Sequence, residues 1–87
     1  MKKTTKATAA RNVIGKRIRQ ARLNASPAVS QEDLCGRLAA QGITMDRSAV
    51  SRIENEARYV MDFEAMAVAR SLKVSVGWLF GEGENRG

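Results

Sequence analysis

The chain has 87 residues, with 15 Lys and Arg against 9 Asp and Glu and no His, for a formal net charge of +6. That length and balance describe one small basic domain, and a multidomain enzyme with a deep cleft does not fit them. With 44% hydrophobic residues the chain is too apolar for a disordered tail, and with 5% aromatics and one Pro it favours helices over aromatic, β-branched strands, so the expected class is all-α.

Residues 1–11 are small and polar, carry Lys2, Lys3, Lys6 and Arg11, and have no apolar periodicity. They read either as a mobile basic arm or as a merely solubilising tail. From Asn12 onward Ile14, Ile18, Ala21 and Ala25 fall at i, i+4, i+7 and i+11, which predicts a first helix ending before Ser26-Pro27. A second helix starts at the N-cap Ser30, with Asp33 three residues on and Leu34, Cys35, Leu38 and Ala39 as its apolar stripe. Gly42 supplies the left-handed residue after it. Asp46 is the natural N-cap of a third, short helix with Val50 and Ile53 inward and Arg47, Ser48, Ser51, Arg52 and Asn55 outward. Asp62 or the residue before it opens a fourth helix, where Ala65, Val68, Ala69 and Leu72 repeat on one face and Lys73 lies in the last turn. Ser75 then caps a last short helix with Val76, Trp78, Leu79 and Phe80. The expected organisation is an arm over 1–11, a compact five-helix bundle over 12–81, and a frayed tail over 82–87.

Several chemistries drop out. Cys35 is the single Cys, so it forms no internal disulfide, and without His no Cys/His zinc site and no Ser-His or Cys-His nucleophile pair can be assembled. No enzymatic activity, metal, cofactor or small-molecule ligand is expected, and Cys35 reads as a small core residue. Glu32 with Asp33 and Asp62 with Glu64 sit in first turns, where the helix dipole favours negative charge, and so need no active site to explain them. The basic start lacks the apolar h-region of a signal peptide, and the longest apolar run, Ala65 to Ala69, is far below the ~18 residues of a membrane span. A cytoplasmic location is the expectation.

The positive charge is polarised. Lys2, Lys3, Lys6, Arg11, Lys16, Arg17, Arg19 and Arg22 all precede Ser26 with no acid among them, giving +8 there, while the remainder of the chain nets −2. Such a region suits a polyanion, because each phosphate neutralised by Lys or Arg releases condensed counterions and makes binding salt-sensitive. A solvated face that only keeps the protein soluble fits the same charge, which by itself does not choose between DNA, RNA and anionic lipid.

Two helices in succession, the second short and polar outside, match the helix-turn-helix arrangement. The segments that fit are Ser30-Gln31-Glu32-Asp33-Leu34, Ser48-Ala49-Val50-Ser51-Arg52-Ile53-Glu54-Asn55, Ala69-Arg70-Ser71-Leu72-Lys73-Val74 and Ser75-Val76-Gly77-Trp78-Leu79. On these segments the chain resembles the phage-repressor (Cro/repressor-like, or XRE) family of helix-turn-helix DNA-binding domains, over about Ile14 to Gly81.

The resemblance implies a sequence-specific binder of double-stranded DNA with Arg47, Ser48, Ser51 and Arg52 at base edges in the major groove. Arg52 and then Arg47 are the strongest candidates for bidentate contact to guanine, although either could instead hold a phosphate. It also implies phosphate contacts from Gln31 at a helix N-terminus, from Lys16, and from Asn55 and Arg58 after the third helix. Glu54 would pair with Arg22 and fix the angle between the first and third helices, a structural role. The stretch from Ala39 to Met45 departs from the family by lengthening the connection into the third helix, which leaves Thr44 and Asp46 near phosphates or merely capping. The expected function is transcriptional regulation, of the repressor kind because the chain carries no further domain to contact polymerase or bind a ligand. A homodimer on a palindromic site, associated with the nucleoid, is expected with it. Val74, Val76, Trp78, Leu79 and Phe80 are either a self-association patch or the completion of the core. The alternative function is a protein-interaction module, such as the antidote of a toxin-antitoxin pair, on the same fold.

Overall fold

Helix starts in this chain are set by side chains that accept backbone N–H groups otherwise left without partners. The computed structural model describes residues 9–83. The first helix, α1 (Gly15–Asn24), begins at Gly15 rather than at Asn12. Asn12 stays outside it and caps it, its Oδ1 accepting from the N–H groups of Ile14 (3.1 Å) and Gly15 (2.9 Å). Ile14, Ile18 and Ala21 are buried as the periodicity requires, and Ala25 packs against them at the edge of the core.

α2 (Gln31–Ala39) starts with a reciprocal capping box. Ser30 Oγ accepts from the Asp33 N–H at 2.9 Å, and Asp33 Oδ2 accepts from the Ser30 N–H at 3.3 Å. Leu34 and Leu38 are its buried pair. Cys35 is half-buried against the core, and Ala39, expected on the apolar stripe, is exposed. The reason is angular: at 100° per residue Ala39 lies ~140° from Leu34, on the last turn, where the chain leaves the core.

The connection over 40–46 reverses at Gly42, whose φ of +84° suits a residue without Cβ, and is closed by the Ile43 N–H donating to the Leu38 carbonyl at 3.0 Å. Its extra length is used to bury Met45 and half-bury Ile43. α3 (Arg47–Glu54) comes next, with Asp46 Oδ1 accepting from the Ala49 N–H at 2.8 Å and Ala49, Val50 and Ile53 facing inward. α4 (Asp62–Leu72) opens after Met61, whose N–H is held by Glu64 Oε1 at 3.0 Å, and ends at left-handed Lys73. α5 (Val76–Leu79) is capped by Ser75 Oγ accepting from the Trp78 N–H at 3.0 Å.

These are five α-helices with no strand among the described residues. α1 and α2 form the middle of the bundle: α3 packs on both, and α4 packs on both and on α5. Ile14, Ile18, Leu34, Leu38, Ile53 and Leu79 are essentially inaccessible, and each contributes on the order of 1.5–3 kcal/mol through burial. The apolar set near the C-terminus divides. Val74, Trp78 and Leu79 complete the core, whereas Val76 and Phe80 stay exposed. Arg11, assigned by charge to the arm, is tied down: its N–H donates to the Glu56 carbonyl at 2.9 Å and its guanidinium lies 5.2 Å from the Tyr59 ring centre. Residues 1–8 of that arm, with Lys2, Lys3 and Lys6, and residues 84–87 of the tail lie outside the described residues. Among the described residues no helix is long and apolar enough to cross a membrane.

Candidate nucleic-acid interface

The outward side of α3 carries Arg47, Ser48, Arg52 and Asn55, all exposed, with Ser51 half-buried beside them. Asp46 fixes where the helix starts, and Val50 and Ile53 fix which side faces the core, so these side chains point outward together. Ser48 Oγ accepts from Arg52 Nη1 at 3.1 Å, one turn apart along the helix. Eight residues span ~12 Å, close to the width of a B-DNA major groove.

What holds α3 in place is a set of polar contacts to α1 and α2. Arg22 meets Glu54 with both arms, Nε to Oε2 at 2.7 Å and Nη2 to Oε1 at 2.9 Å, and both side chains are more than nine-tenths buried. The remaining Arg22 nitrogen, Nη1, donates to the Val29 carbonyl at 2.9 Å, which fastens the α1–α2 link as well. Near the other end of α1, Asn12 Nδ2 donates to the carbonyls of Ile53 (3.1 Å) and Arg58 (2.8 Å). Gly15 lies so close to the C-terminus of α3 that an added Cβ would collide with the Ile53 carbonyl oxygen and stand 2.9 Å from that of Glu54. Only glycine permits that approach. Among the described residues every buried side-chain nitrogen and oxygen has a hydrogen-bond partner.

Two expected phosphate contacts are engaged elsewhere. Gln31 turns inward at the start of α2, its Nε2 donating to Glu54 Oε1 at 3.2 Å, so it belongs to the Arg22–Glu54 cluster. Arg58 is half-buried and paired with Glu64, Nη1 to Oε1 at 3.3 Å, because the carboxylate that caps α4 lies within its reach. Lys16, Thr44 and Asn55 are exposed. A shallow dent at each end of α3 adds detail: Ser30, Gln31, Glu32 and Arg47 line one, and Lys16, Asn55 and Glu56 line the other. Arg22 also borders the first and Glu54 the second; apart from that mutually paired couple, each dent offers one cation and one carboxylate.

Part of the positive charge also has structural duties. Arg17 Nη1 donates to the Trp78 carbonyl at 3.0 Å while its guanidinium lies 4.6 Å from the indole, so it clamps α5 onto α1. Lys16 and Arg19 remain exposed on α1. On α2, burial pushes the Cys35 thiol above its ordinary pKa, and the Asp46 and Glu32 carboxylates add to the shift. No group of three or more His, Cys, Asp or Glu side chains placed to hold a metal occurs among the described residues.

Sequence reasoning missed Asn12 and Gly15. A signal for Gly15 existed: a lone glycine inside a helical apolar pattern usually marks close packing. Asn12 offered a local signal as a capping residue for Ile14 and Gly15, but none for its bonds to the Ile53 and Arg58 carbonyls, more than 40 positions away. In comparison with known proteins, the chain matches no family model, no curated protein and no solved structure.

Proposed function

We propose that this protein is a sequence-specific double-stranded DNA-binding regulator of the helix-turn-helix type, similar to the phage-repressor (XRE) family, with α2 and α3 as the helix pair. α3 enters the major groove, Arg52 and Arg47 read base edges, and Lys16 and Asn55 meet phosphates at one end of the helix. Occupying the duplex is enough to block transcription, so repression needs no further chemistry. The observation that carries the reading is the outward side of α3. It is exposed, cationic and hydroxyl-bearing on a helix of groove-spanning length, and a buried ion pair sets its angle. Gln31 supports the site from behind by orienting Glu54.

Selection of binding sites from a random duplex pool tests this, with a recurrent motif as the expected result and no enrichment as the result that removes the proposal. On the selected site Arg52→Ala costs roughly 1–3 kcal/mol and leaves affinity for random duplex unchanged. Lys16→Ala weakens both alike and lowers the slope of log affinity against log salt by about one. A pure partner-binding module would give no preferred site in the same assay.

A further inference from the structure

Arg52 is exposed on the outward side of α3, yet its side chain is braced. Nη1 donates to Ser48 Oγ at 3.1 Å, and among the described residues the guanidinium makes no other hydrogen bond and no ion pair. The direction of this bond follows from helix geometry. A long side chain on a helix leans toward the N-terminus and covers the residue four positions earlier, which for Arg52 is Ser48. Asp46 Oδ1 accepts from the Ala49 N–H and so fixes the first turn, on which Ser48 stands. The guanidinium therefore lies over the N-terminal half of α3, the half that a recognition helix carries to the base edges.

What the brace leaves open is specific. A guanidinium offers a pair of parallel N–H groups along either of its forked edges, Nε with Nη2 or Nη1 with Nη2, and a bond on Nη1 leaves the Nε–Nη2 edge whole. Arg22 divides its donors in the same way inside the molecule: Nη1 is held by the Val29 carbonyl at 2.9 Å, while Nε and Nη2 meet the two oxygens of Glu54 at 2.7 and 2.9 Å. Guanine presents N7 and O6 as two acceptors on one edge in the major groove, as a carboxylate presents its oxygens. Holding Nη1 also removes part of the rotamer freedom that a surface arginine would otherwise lose on binding. In water such an i, i+4 bond is weak. Where protein and duplex displace water it strengthens, so its effect is felt at the interface rather than in the free protein.

From this arrangement we infer that Ser48 is a positioning residue and not a reader of bases: it braces Arg52 Nη1 so that the Nε–Nη2 edge meets N7 and O6 of one guanine in the major groove. The inference rests on the proposed function and goes further by naming the edge of Arg52 that meets the base and the residue that presents it.

Fluorescence anisotropy of the full chain on labelled duplexes tests it. The probes are the site selected from the random pool, the same site with 7-deazaguanine at the guanine whose preference Arg52→Ala abolishes, and a random sequence. Far-UV circular dichroism and thermal melting serve as controls for folding. Ser48→Ala weakens binding to the selected site by about three- to tenfold and leaves the random duplex unchanged. That loss shrinks to less than about twofold on the 7-deazaguanine site, which lacks the N7 acceptor, and likewise in the Arg52→Ala background. Ser48→Thr keeps the hydroxyl oxygen and binds within about twofold of the original protein. A Ser48→Ala loss that persists undiminished without Arg52 overturns the inference, because Ser48 then contacts the duplex itself. So does a Ser48→Ala protein that binds the selected site as tightly as the original or more tightly, one that weakens selected and random duplexes alike, or an Arg52→Ala effect at any base but guanine. These results leave the reading of α3 intact, since that reading stands on the selected motif. A motif indifferent to Arg52→Ala removes the role of that arginine and the brace with it.

Discussion

α3 and α4 both lie on the platform of α1 and α2, yet they present opposite surfaces to solvent. The outward side of α3 is all polar, and its attachment to the platform adds to the buried Ala49, Val50 and Ile53 a directional polar set: Arg22, Gln31 and Asn12 reach it through hydrogen bonds, and Gly15 lets the backbones nearly touch. α4 is attached by the apolar side chains Ala65, Val68, Ala69 and Leu72 and by hydrogen bonds from Arg37 and Gln41 to Ser71 and the Ala67 carbonyl, with no buried ion pair among the described residues, and leaves Phe63 and Met66 uncovered. Apolar packing is strong but has little direction, whereas a two-armed guanidinium–carboxylate pair fixes an angle. A surface that must present several side chains in a set geometry gains from the second kind of attachment. One that need only exclude water against another surface does not.

The largest effect expected in breaking this contrast is at Arg22. Arg22→Ala leaves Glu54 buried and uncompensated and costs about 3–5 kcal/mol of stability, measured by denaturant unfolding. Replacing both partners, Arg22→Met with Glu54→Leu, restores stability to within about 1–2 kcal/mol while preference for the selected duplex stays impaired. Full recovery of preference in the double variant would mean that the ion pair does not set the angle of α3.

Gly15→Ala is expected to be the next largest. Alanine is the better helix former by about 1 kcal/mol, but here its methyl group meets backbone rather than a flexible side chain. The net loss is about 1–3 kcal/mol, or roughly 5–20 °C in melting temperature. A rise in melting temperature would show that α1 and α3 have room between them for a methyl group.

The smallest effect concerns Cys35, which sits on α2 close enough to the Asp46 cap of α3 to feel its charge. Its folded-state pKa lies above the unfolded value, so the unfolded chain loses the thiol proton first. The contribution to stability is therefore complete below the ordinary thiol pKa and is lost as pH rises through the raised one. Alkylation by iodoacetamide at neutral pH should be slower in the native protein than in the urea-unfolded chain. Equal rates would show that neither burial nor charge protects the thiol.

Much of this was readable from the sequence because capping and apolar periodicity are local. Ser30, Asp46 and Ser75 announce three helix starts through hydrogen bonds spanning three residues, and Ile14, Ile18, Val50 and Ile53 each follow from a repeat within one helix. The pairing of Arg22 with Glu54, 32 positions apart, came from family resemblance and not from spacing. Gln31 and Arg58 each have an internal partner that the sequence did not show, for a common reason. Each was assigned an outside partner by its place in a pattern, while a carboxylate from another part of the chain, Glu54 or Glu64, lies within its reach. The same limit applied to Val74, Val76, Trp78, Leu79 and Phe80, where composition could not say which apolar residues the bundle had room to cover.

The sequence by itself determined the helices and the inward and outward sides of most of them, since a helix is a short-range object whose repeat and ends are written in neighbouring residues. Tertiary structure alone decided how near α1 comes to α3, which cations remain exposed, and that α4 keeps an apolar face outside the core. Those outcomes depend on distances between segments far apart along the chain, and such distances are set by packing all the helices at once.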